Sequence, residues 1–581
     1  MMNIKITTST LTFAFLLSGC GGGSAAPTVT PTVTPTVTPT VTPTVTPTVV
    51  PKVAAVPILS YTPVKGFKFD WTDVSDASLY KILENKNGVS GFSKIGNDIA
   101  QGVGTTTQIV PLHKRLNAQY VLQSCTTTGC IDSAAISVTG TLVDSIGYVK
   151  ASNTGSGDEF GSAVSLSSDG STLAVGTPYE ASNASGVGGD QTDNTVLGSG
   201  AVYIFTLTGS MWTQQAYVKA SNVSKDALFG NSVSLSSNGS TLAVGAEYEF
   251  SDYSGAAYIF TRTGSTWSEQ KFLKASDKAE DDEFGSSVSL SGDGNTLAVG
   301  ARVGDSAAAN SGAVYMFART GTDWPEQQKL TASGLLADDE FGYSVSLNSD
   351  GTTLAVGAPR ESSDVTGIGA AYIFTRTGTS WSQQEKVVAT SQGQEDYFGY
   401  SISLSGDGNT LAVGAKGEDS SAVGVGGDAS NGAAAGSGAA YIFNRAGTAW
   451  SQQAYVKASN TGEGDEFGYS VSLSSDGSTL AVGARNENSN ATGLGGIESD
   501  NTANNSGAVY TFSLTGTTWT PQAYVKATDA EGNDIFGESV SLSGDGSTLA
   551  VGAAGEGSNA TGLGGNASDN SAGESGAVYL Y

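Results

Sequence analysis

The apolar pattern of this chain returns seven times. A segment opening at Phe160-Gly161 runs through Val-Ser-Leu-Ser, a turn at Asp169-Gly170 and Thr-Leu-Ala-Val to Gly176. Its Phe-Gly pairs recur at Phe160, Phe229, Phe284, Phe341, Phe398, Phe467 and Phe536. The spacings of 69, 55, 57, 57, 69 and 69 residues are those of a repeated supersecondary unit. Each unit predicts four strands. Val-Ser-Leu-Ser is the first and Thr-Leu-Ala-Val-Gly the second, joined by Asp-Gly or Asn-Gly, which tolerate the positive φ of a hairpin turn. The third strand, Gly200 to Phe205 in the first unit, is apolar on both faces, with Tyr203 and Phe205 opposite Val202 and Ile204. A sheet covered on both faces fits a blade held between two others. The fourth runs from a Trp through Gln-Gln to Tyr-Val-Lys-Ala.

The tryptophans count these units. Trp212, Trp267, Trp324, Trp381, Trp450 and Trp519 open six fourth strands for seven copies of the first three. The sequence given stops at Tyr581, where the seventh third strand ends. Gly147-Tyr148-Val149-Lys150-Ala151 matches Ala216-Tyr217-Val218-Lys219-Ala220 and is expected to supply the missing strand. The prediction is an all-β fold: a seven-bladed β-propeller over 147–581, closed by strand 147–151 so that the ring has no open edge.

Residues 54–143 predict a small β-sandwich ahead of the propeller. Phe67-Lys68-Phe69-Asp70-Trp71 alternates as a strand, Leu79-Tyr80-Lys81-Ile82-Leu83 is another, and Tyr120-Val-Leu-Gln-Ser leads into Cys125-Thr-Thr-Thr-Gly-Cys130. The segment resembles a fibronectin type III domain. That resemblance makes Trp71 a core tryptophan and Leu116 with Tyr120 the opening of the sixth strand. Cys125 and Cys130 flank a short loop ending in Gly129, which suits a disulfide across a hairpin in an oxidising compartment. With one His in the chain, His113, a four-ligand nitrogen and sulfur metal site cannot be assembled.

The chain opens with an export signal. Residues 1–19 carry Lys5 and an apolar run from Leu11 to Leu17, too short to span a bilayer as a helix. Leu17-Ser18-Gly19-Cys20 resembles a bacterial lipobox, which implies that Cys20 is acylated and becomes the mature N-terminus. No Asp follows it to suggest inner-membrane retention, so the expected location is the outer membrane, with membrane contact only through the lipid. Residues 20–53 form the anchor and a stalk. Prolines at 27, 31, 35, 39, 43, 47 and 51 block helix and favour an extended polyproline-II spacer. At about 3.1 Å per residue, residues 21–51 reach on the order of 90 Å.

Charge narrows the partners. Lys and Arg number 27 against 55 Asp and Glu, a net charge of −28. Such a surface repels nucleic acid and anionic membranes and favours cations and basic partners. Phe341-Gly342 with Val356-Gly357-Ala358-Pro359 resembles the FG-GAP repeats of integrin α-subunit propellers. In that family the turn between first and second strands carries an Asp-rich calcium loop. Here the turn keeps one carboxylate, while calcium takes six to eight oxygens, so calcium is not expected there.

The acidic fourth-to-first loops (Asp158, Asp282 and Asp339) and the second-to-third loops fall on the face opposite those turns. The second-to-third loops of blades 1, 5, 6 and 7 are long and bear Asp190, Asp193, Asp428, Asp500 and Asp569. The expectation is that they form a crescent beside an acidic mouth, a candidate ligand face where Asp190, Asp193, Asp500 and Asp569 could hold a cation such as calcium. No other cofactor is expected. The propeller region has no His and no Cys, which removes the usual triads and dyads, and near-identical repeats argue against one asymmetric active site. The reading is a non-catalytic, surface-anchored adhesion or binding lipoprotein for a protein or glycan. Its alternatives are a carboxylate-dependent glycan hydrolase and a passive envelope structural protein.

Overall fold

The computed structural model describes residues 52–249, 252–362 and 367–581. The signal, Cys20 and the proline-rich stretch through Pro51 lie outside them. The described chain is all-β apart from two single-turn 3-10 helices, Leu112–Lys114 and Val143–Ser145. Seven four-stranded antiparallel sheets follow one another from Gly147 to Leu580. The first contains Ala163–Leu166, Thr172–Thr177, Ala201–Thr208 and Met211–Val218 in order from inner to outer edge. The seventh contains Ser539–Leu542, Leu549–Ala553 and Ala577–Leu580, and its outer strand is Gly147–Val149. Tyr579 pairs with Tyr148 and Val578 with Val149, so the two distant ends of the propeller share one sheet.

The inner strands pack around a central channel and are joined in two complete rings. A serine hydroxyl in each inner strand accepts the amide of a leucine in the next; Ser165 receives Leu235 at 3.0 Å and Ser541 receives Leu166 at 2.9 Å. At the turn end, amides of Ser168, Ser237, Gly292, Ser349, Gly406, Ser475 and Gly544 each donate to the carbonyl of the next residue in that circle. These rings satisfy inner-edge backbone groups that an open sheet would leave to solvent or to another chain. At the outer side, Trp267 donates to Gln215 at 2.8 Å and Trp324 to Gln270 at 2.9 Å, each bond crossing to the preceding blade.

The repeated motif follows from how closely the blades approach. A Cβ on Gly176 would lie 2.0 Å from the carbonyl oxygen of Gly230 in the next blade. One on Gly161, at φ +100°, would lie 2.6 Å from the Ala577 oxygen. Only glycine permits both approaches. Phe160 is fully buried, edge-on to Tyr203 and Phe205, and the same triad recurs in each blade. Burial of such rings supplies the apolar area that a Gly- and Ser-rich sequence otherwise lacks.

Ahead of the propeller, Ile58–Thr62, Gly66–Asp70 and Thr105–Ile109 form one sheet. Leu79–Asn85, Ser93–Ala100, Gln119–Thr126, Gly129–Asp132 and Ile136–Ser137 form the other. Phe67, Phe69, Tyr80, Ile82, Tyr120 and Leu122 fill the core, and Cys125 is disulfide-bonded to Cys130. This core is continuous with blades 6 and 7 through Leu142, Ile146, Tyr148 and Leu494. Lys65 Nζ donates to the Ser547 carbonyl at 2.8 Å and to Thr548 Oγ1 at 2.7 Å. His113 Nε2 lies 3.1 Å from the Gly546 carbonyl, which makes it the protonated ring nitrogen. Burial holds the His113 pKa down at about 3, so the imidazole is neutral.

Candidate functional site

The channel opens, at the end opposite the ring of turns, into a cavity of about 390 Å³. Three positions of every repeat build this mouth. The residue before Phe-Gly stands in the left-handed region in all seven blades, at φ between 49° and 56° (Glu159, Leu228, Glu283, Glu340, Tyr397, Glu466, Ile535). A non-glycine residue there is uncommon and costs on the order of 1 kcal/mol or more. The surrounding loop fixes it: the Glu159 amide donates to the Glu574 carbonyl at 3.0 Å. The other two positions follow Phe-Gly (Ser162, Asn231, Ser286, Tyr343, Tyr400, Tyr469, Glu538) and Gly-Ala or its equivalent (Pro178, Glu247, Arg302, Pro359, Lys416, Arg485, Ala554).

The frame is sevenfold but its side chains are not. On blades 4 to 6, Tyr343, Tyr400 and Tyr469 stack in series with ring centroids 4.8 and 5.0 Å apart. Arg302 lies 5.5 Å from the Tyr343 ring, Lys416 4.3 Å from that of Tyr400, and Arg485 3.9 Å from that of Tyr469. These cations are also paired, Arg302 with Glu283 at 2.5 Å and Arg485 with Glu466 at 2.8 Å. Arg485 further donates to the Tyr469 hydroxyl at 2.8 Å. This half of the mouth satisfies its own charges.

The half formed by blades 7, 1 and 2 does not. Burial pushes Glu159, Glu247 and Glu538 each up to about 7, against weak compensation. Glu247 has Arg302 at 3.6 Å, Glu538 has Arg485 at 3.7 Å, and Glu159 is raised further by Glu574. Glu538 Oε2 and Asn231 Oδ1 are buried with no hydrogen-bond partner. Tyr179 completes this side and is 43% exposed.

The aspartates singled out by sequence sit elsewhere. Asp158, Asp282 and Asp339 are buried, and each caps its own loop, Asp158 Oδ2 accepting from the Gly155 amide at 2.8 Å. The neighbouring Glu159, Glu283 and Glu340 are the residues that reach the mouth. The expected crescent of long loops beside the mouth is corrected as well. Those loops turn outward and pair with the outer strand of their own blade, as where the Gly188 amide donates to Tyr217 O at 2.9 Å and Lys219 N to Gly186 O at 2.8 Å. The same pairing recurs at Gly426, Gly495 and Gly564. The reason is edge coverage: the loop satisfies an outer strand that would otherwise stand bare.

Asp190 Oδ1 accepts from Thr192, Asp193 from Thr195, Asp428 from Ser430, Asp500 from Thr502 and Asp569 from Ser571, all within their own turns. Among the described residues no three His, Cys, Asp or Glu side chains are grouped to hold a metal ion. The cation placed on Asp190, Asp193, Asp500 and Asp569 therefore has no site built for it.

Under each long loop lies a buried ion pair that the sequence reading missed. Lys219 Nζ donates to Glu180 Oε2 at 2.8 Å and to Ser199 Oγ at 2.7 Å, with both charged side chains at or below 1% exposure. Lys150–Glu556, Lys457–Glu418 and Lys526–Glu487 repeat it. The sequence signal was available: Lys in Tyr-Val-Lys-Ala occurs on the four blades whose second-to-third loops are long. The mouth also had a signal, namely three variable positions inside an otherwise fixed repeat.

Comparison with solved structures finds low-identity likenesses. A crystal structure of a putative 6-phosphogluconolactonase from Bacteroides uniformis is 11% identical with a TM-score of 0.41, covering 78% of this chain and 98% of its own. The RRP9 WD40 repeats are 9% identical with a TM-score of 0.42, covering 75% and 96%. A putative 6-phosphogluconolactonase from Bacteroides fragilis is 12% identical with a TM-score of 0.40, covering 79% and 98%. No curated protein matches the chain. The FG-GAP repeat family matches six stretches, residues 212–260, 267–317, 324–374, 381–443, 450–512 and 519–581. Each begins at a blade's outer-strand tryptophan and ends in the third strand of the following blade, so more than half of the sequence is accounted for and the chain belongs to the FG-GAP repeat family.

Proposed function

We propose that this protein is a non-catalytic binding or adhesion propeller, displayed at the bacterial surface on a lipidated stalk, whose ligand engages the channel mouth. The observation that carries the reading is the asymmetry of the mouth: a sevenfold scaffold holds three stacked tyrosines and paired cations on one side and partnerless acceptors on the other. A passive spacer has no need of mouth side chains that differ from blade to blade on a sevenfold frame. The sandwich, read as fibronectin type III-like, grips the turn end of blade 7, and none of its residues lines the mouth. Cys20 supplies the anchor, and the stalk supplies distance from the membrane. The full chain carrying Cys20→Ser, applied to glycan and protein arrays, tests the binding role: specific capture without turnover is expected, and silence on both arrays contradicts it. Fatty-acid labelling that persists in Cys20→Ser contradicts the anchor.

Glycan hydrolysis is the second reading. Three carboxyl groups near pH 7 in one cavity have the acidity that general acid–base work uses. Turnover of an array glycan, abolished by Glu538→Gln, would favour it over binding alone.

A further inference from the structure

Among the described residues, blade 7 lacks the hairpin that joins third and outer strands in the other blades. Its third strand, Ala577–Leu580, has 4 residues and its outer strand, Gly147–Val149, has 3, against 8 and 8 in blade 1. The repeat shows what that hairpin contributes. In blade 2 the Arg262 amide donates to Ser240 O at 2.8 Å, and its guanidinium reaches Thr172 Oγ1 of blade 1 at 3.3 Å. Arg376 and Arg445 repeat the second bond, to Thr296 and Thr353 of the preceding blades.

At blade 7 the sandwich makes these bonds. Ser547 and Thr548 follow its turn as Ser240 and Thr241 follow that of blade 2. Lys65 Nζ donates to Ser547 O, the carbonyl that a third-strand amide takes in each of the other six blades. Its second bond, to Thr548 Oγ1, is the one an arginine of blade 1 would make, and blade 1 has Leu207 there. Lys114 Nζ donates to Thr479 Oγ1 of blade 6 at 3.1 Å, in place of the arginine that blade 7 lacks. The replacement is incomplete. Gln522 of blade 6 is placed as Gln215 is in blade 1, but no tryptophan reaches it and its Oε1 is buried without a partner.

The tip that carries Lys65 is shaped for this contact rather than for its own turn. Val64 and Lys65, between Ile58–Thr62 and Gly66–Asp70, stand at φ +63° and +67°. A β-branched residue there is an outlier, retained where the surroundings over-determine it. Those surroundings belong to the propeller: Val64 packs against the core shared by blades 7 and 1, and Lys65 is buried on the blade 7 turn.

We infer that the sandwich is the closing part of the ring. The tip Val64–Lys65 and the helix Leu112–Lys114 stand in for the missing hairpin of blade 7 and latch the seam between blades 6, 7 and 1. The seam has need of a latch, since Gly147–Val149 pairs with the third strand over three residue pairs where blade 1 has seven. Leu112 is fully buried in one core with Tyr579 and Tyr581, so the helix adds apolar contact to the polar bonds. A domain that completes the ring moves with it as one body, which fixes the direction of the mouth relative to the sandwich. This role is independent of what the mouth binds.

The test is hydrogen–deuterium exchange on the full chain carrying Cys20→Ser. Val64→Asn with Lys65→Gly gives the tip residues that accept positive φ, so it relaxes the turn while removing both Lys65 bonds. Exchange is expected to become at least tenfold faster in segments 147–151 and 577–581 and to stay unchanged in blades 3 and 4. Arg376→Met, which removes the corresponding bond between blades 3 and 4, is expected to leave the seam segments at the parent rate. Seam exchange that does not rise in the Val64 and Lys65 variant, or a rise shared equally by all seven blades, overturns the inference. Should that variant not fold, Lys114→Met serves in its place with the same two criteria. The parent gives a further check under increasing denaturant. The sandwich core around Tyr120 and the seam are expected to open in one step, and a sandwich that opens while the seam stays protected overturns the latch.

Discussion

The backbone amide of Gly544 donates to the carbonyl of Ser168 at 2.8 Å, a bond across 376 residues of sequence that joins the seventh blade to the first. With Tyr579 paired to Tyr148 on the outside, the ring is closed at both edges of the last sheet. Deleting residues 147–151 should expose the edge of Ala577–Leu580 and remove Val149, which is fully buried. The expected outcome is a fall of several degrees or more in melting temperature together with a tendency to self-associate. An unchanged melting curve would contradict closure.

The blade spacing gives a sharper mutational contrast. Gly176→Ala places a methyl group 2.0 Å from the Gly230 oxygen, whereas Gly209→Ala, at φ +65°, meets open space. The first should prevent folding or cost well over 3 kcal/mol, because both partners are backbone. The second should cost about 1 kcal/mol, the strain of the conformation alone. Denaturant melts of the two variants measure the difference.

Glu180 and Lys219 are buried together beneath the first long loop. Glu180→Ala strands an ammonium that retains only Ser199 Oγ, with an expected loss of about 3–5 kcal/mol. Replacing both with Met should recover most of that loss, since a buried pair contributes little net stability over an apolar filling. A double variant as unstable as the single would mean the pair is essential to the loop's conformation.

Stability should fall as pH rises from 5.5 to 7.5. Burial raises Glu159, Glu247, Glu538 and Asp465 to about 7, Asp158, Asp396 and Asp529 to about 6, and Asp534 to about 8. The unfolded chain holds fewer protons than the native state across this range, so the contribution present at low pH is lost as pH passes through the folded values. His113, held neutral by burial, acts in the opposite sense only as pH falls below its ordinary value of about 6.5. Lys65, lowered to about 8 by burial, acts in the opposite sense above this range. A calorimetric melting temperature that rises from pH 5.5 toward pH 7.5 would contradict this assignment.

Much of the fold was legible because the repeat forces it. Phe160, Gly161 and Gly176 recur in every unit since each touches a neighbouring blade's backbone or core, and such constraints print directly as a period. The mouth was harder to see for a related reason. Its residues, such as Tyr343, Tyr400, Tyr469 and Glu538, vary from blade to blade at one position, and a search for similarity passes over them. Asp158 and Glu159 are adjacent in sequence, yet one is buried as a loop cap and the other faces the channel. Only the positive φ of Glu159 separates them, and composition carries no trace of it. The outward turn of the long loops also depended on tertiary pairing, between Gly188 and Tyr217, which no local pattern signals.

The most direct measurement is array binding by the Cys20→Ser chain beside two variant sets, one in the mouth (Glu538→Gln with Tyr469→Ala) and one on the outer loops (Asp190→Asn with Asp500→Asn). Binding at the channel mouth predicts that the ligands captured by the parent are lost in the first set and kept in the second. Retention in the first set and loss in the second would move the site to the outer loops and contradict the central claim.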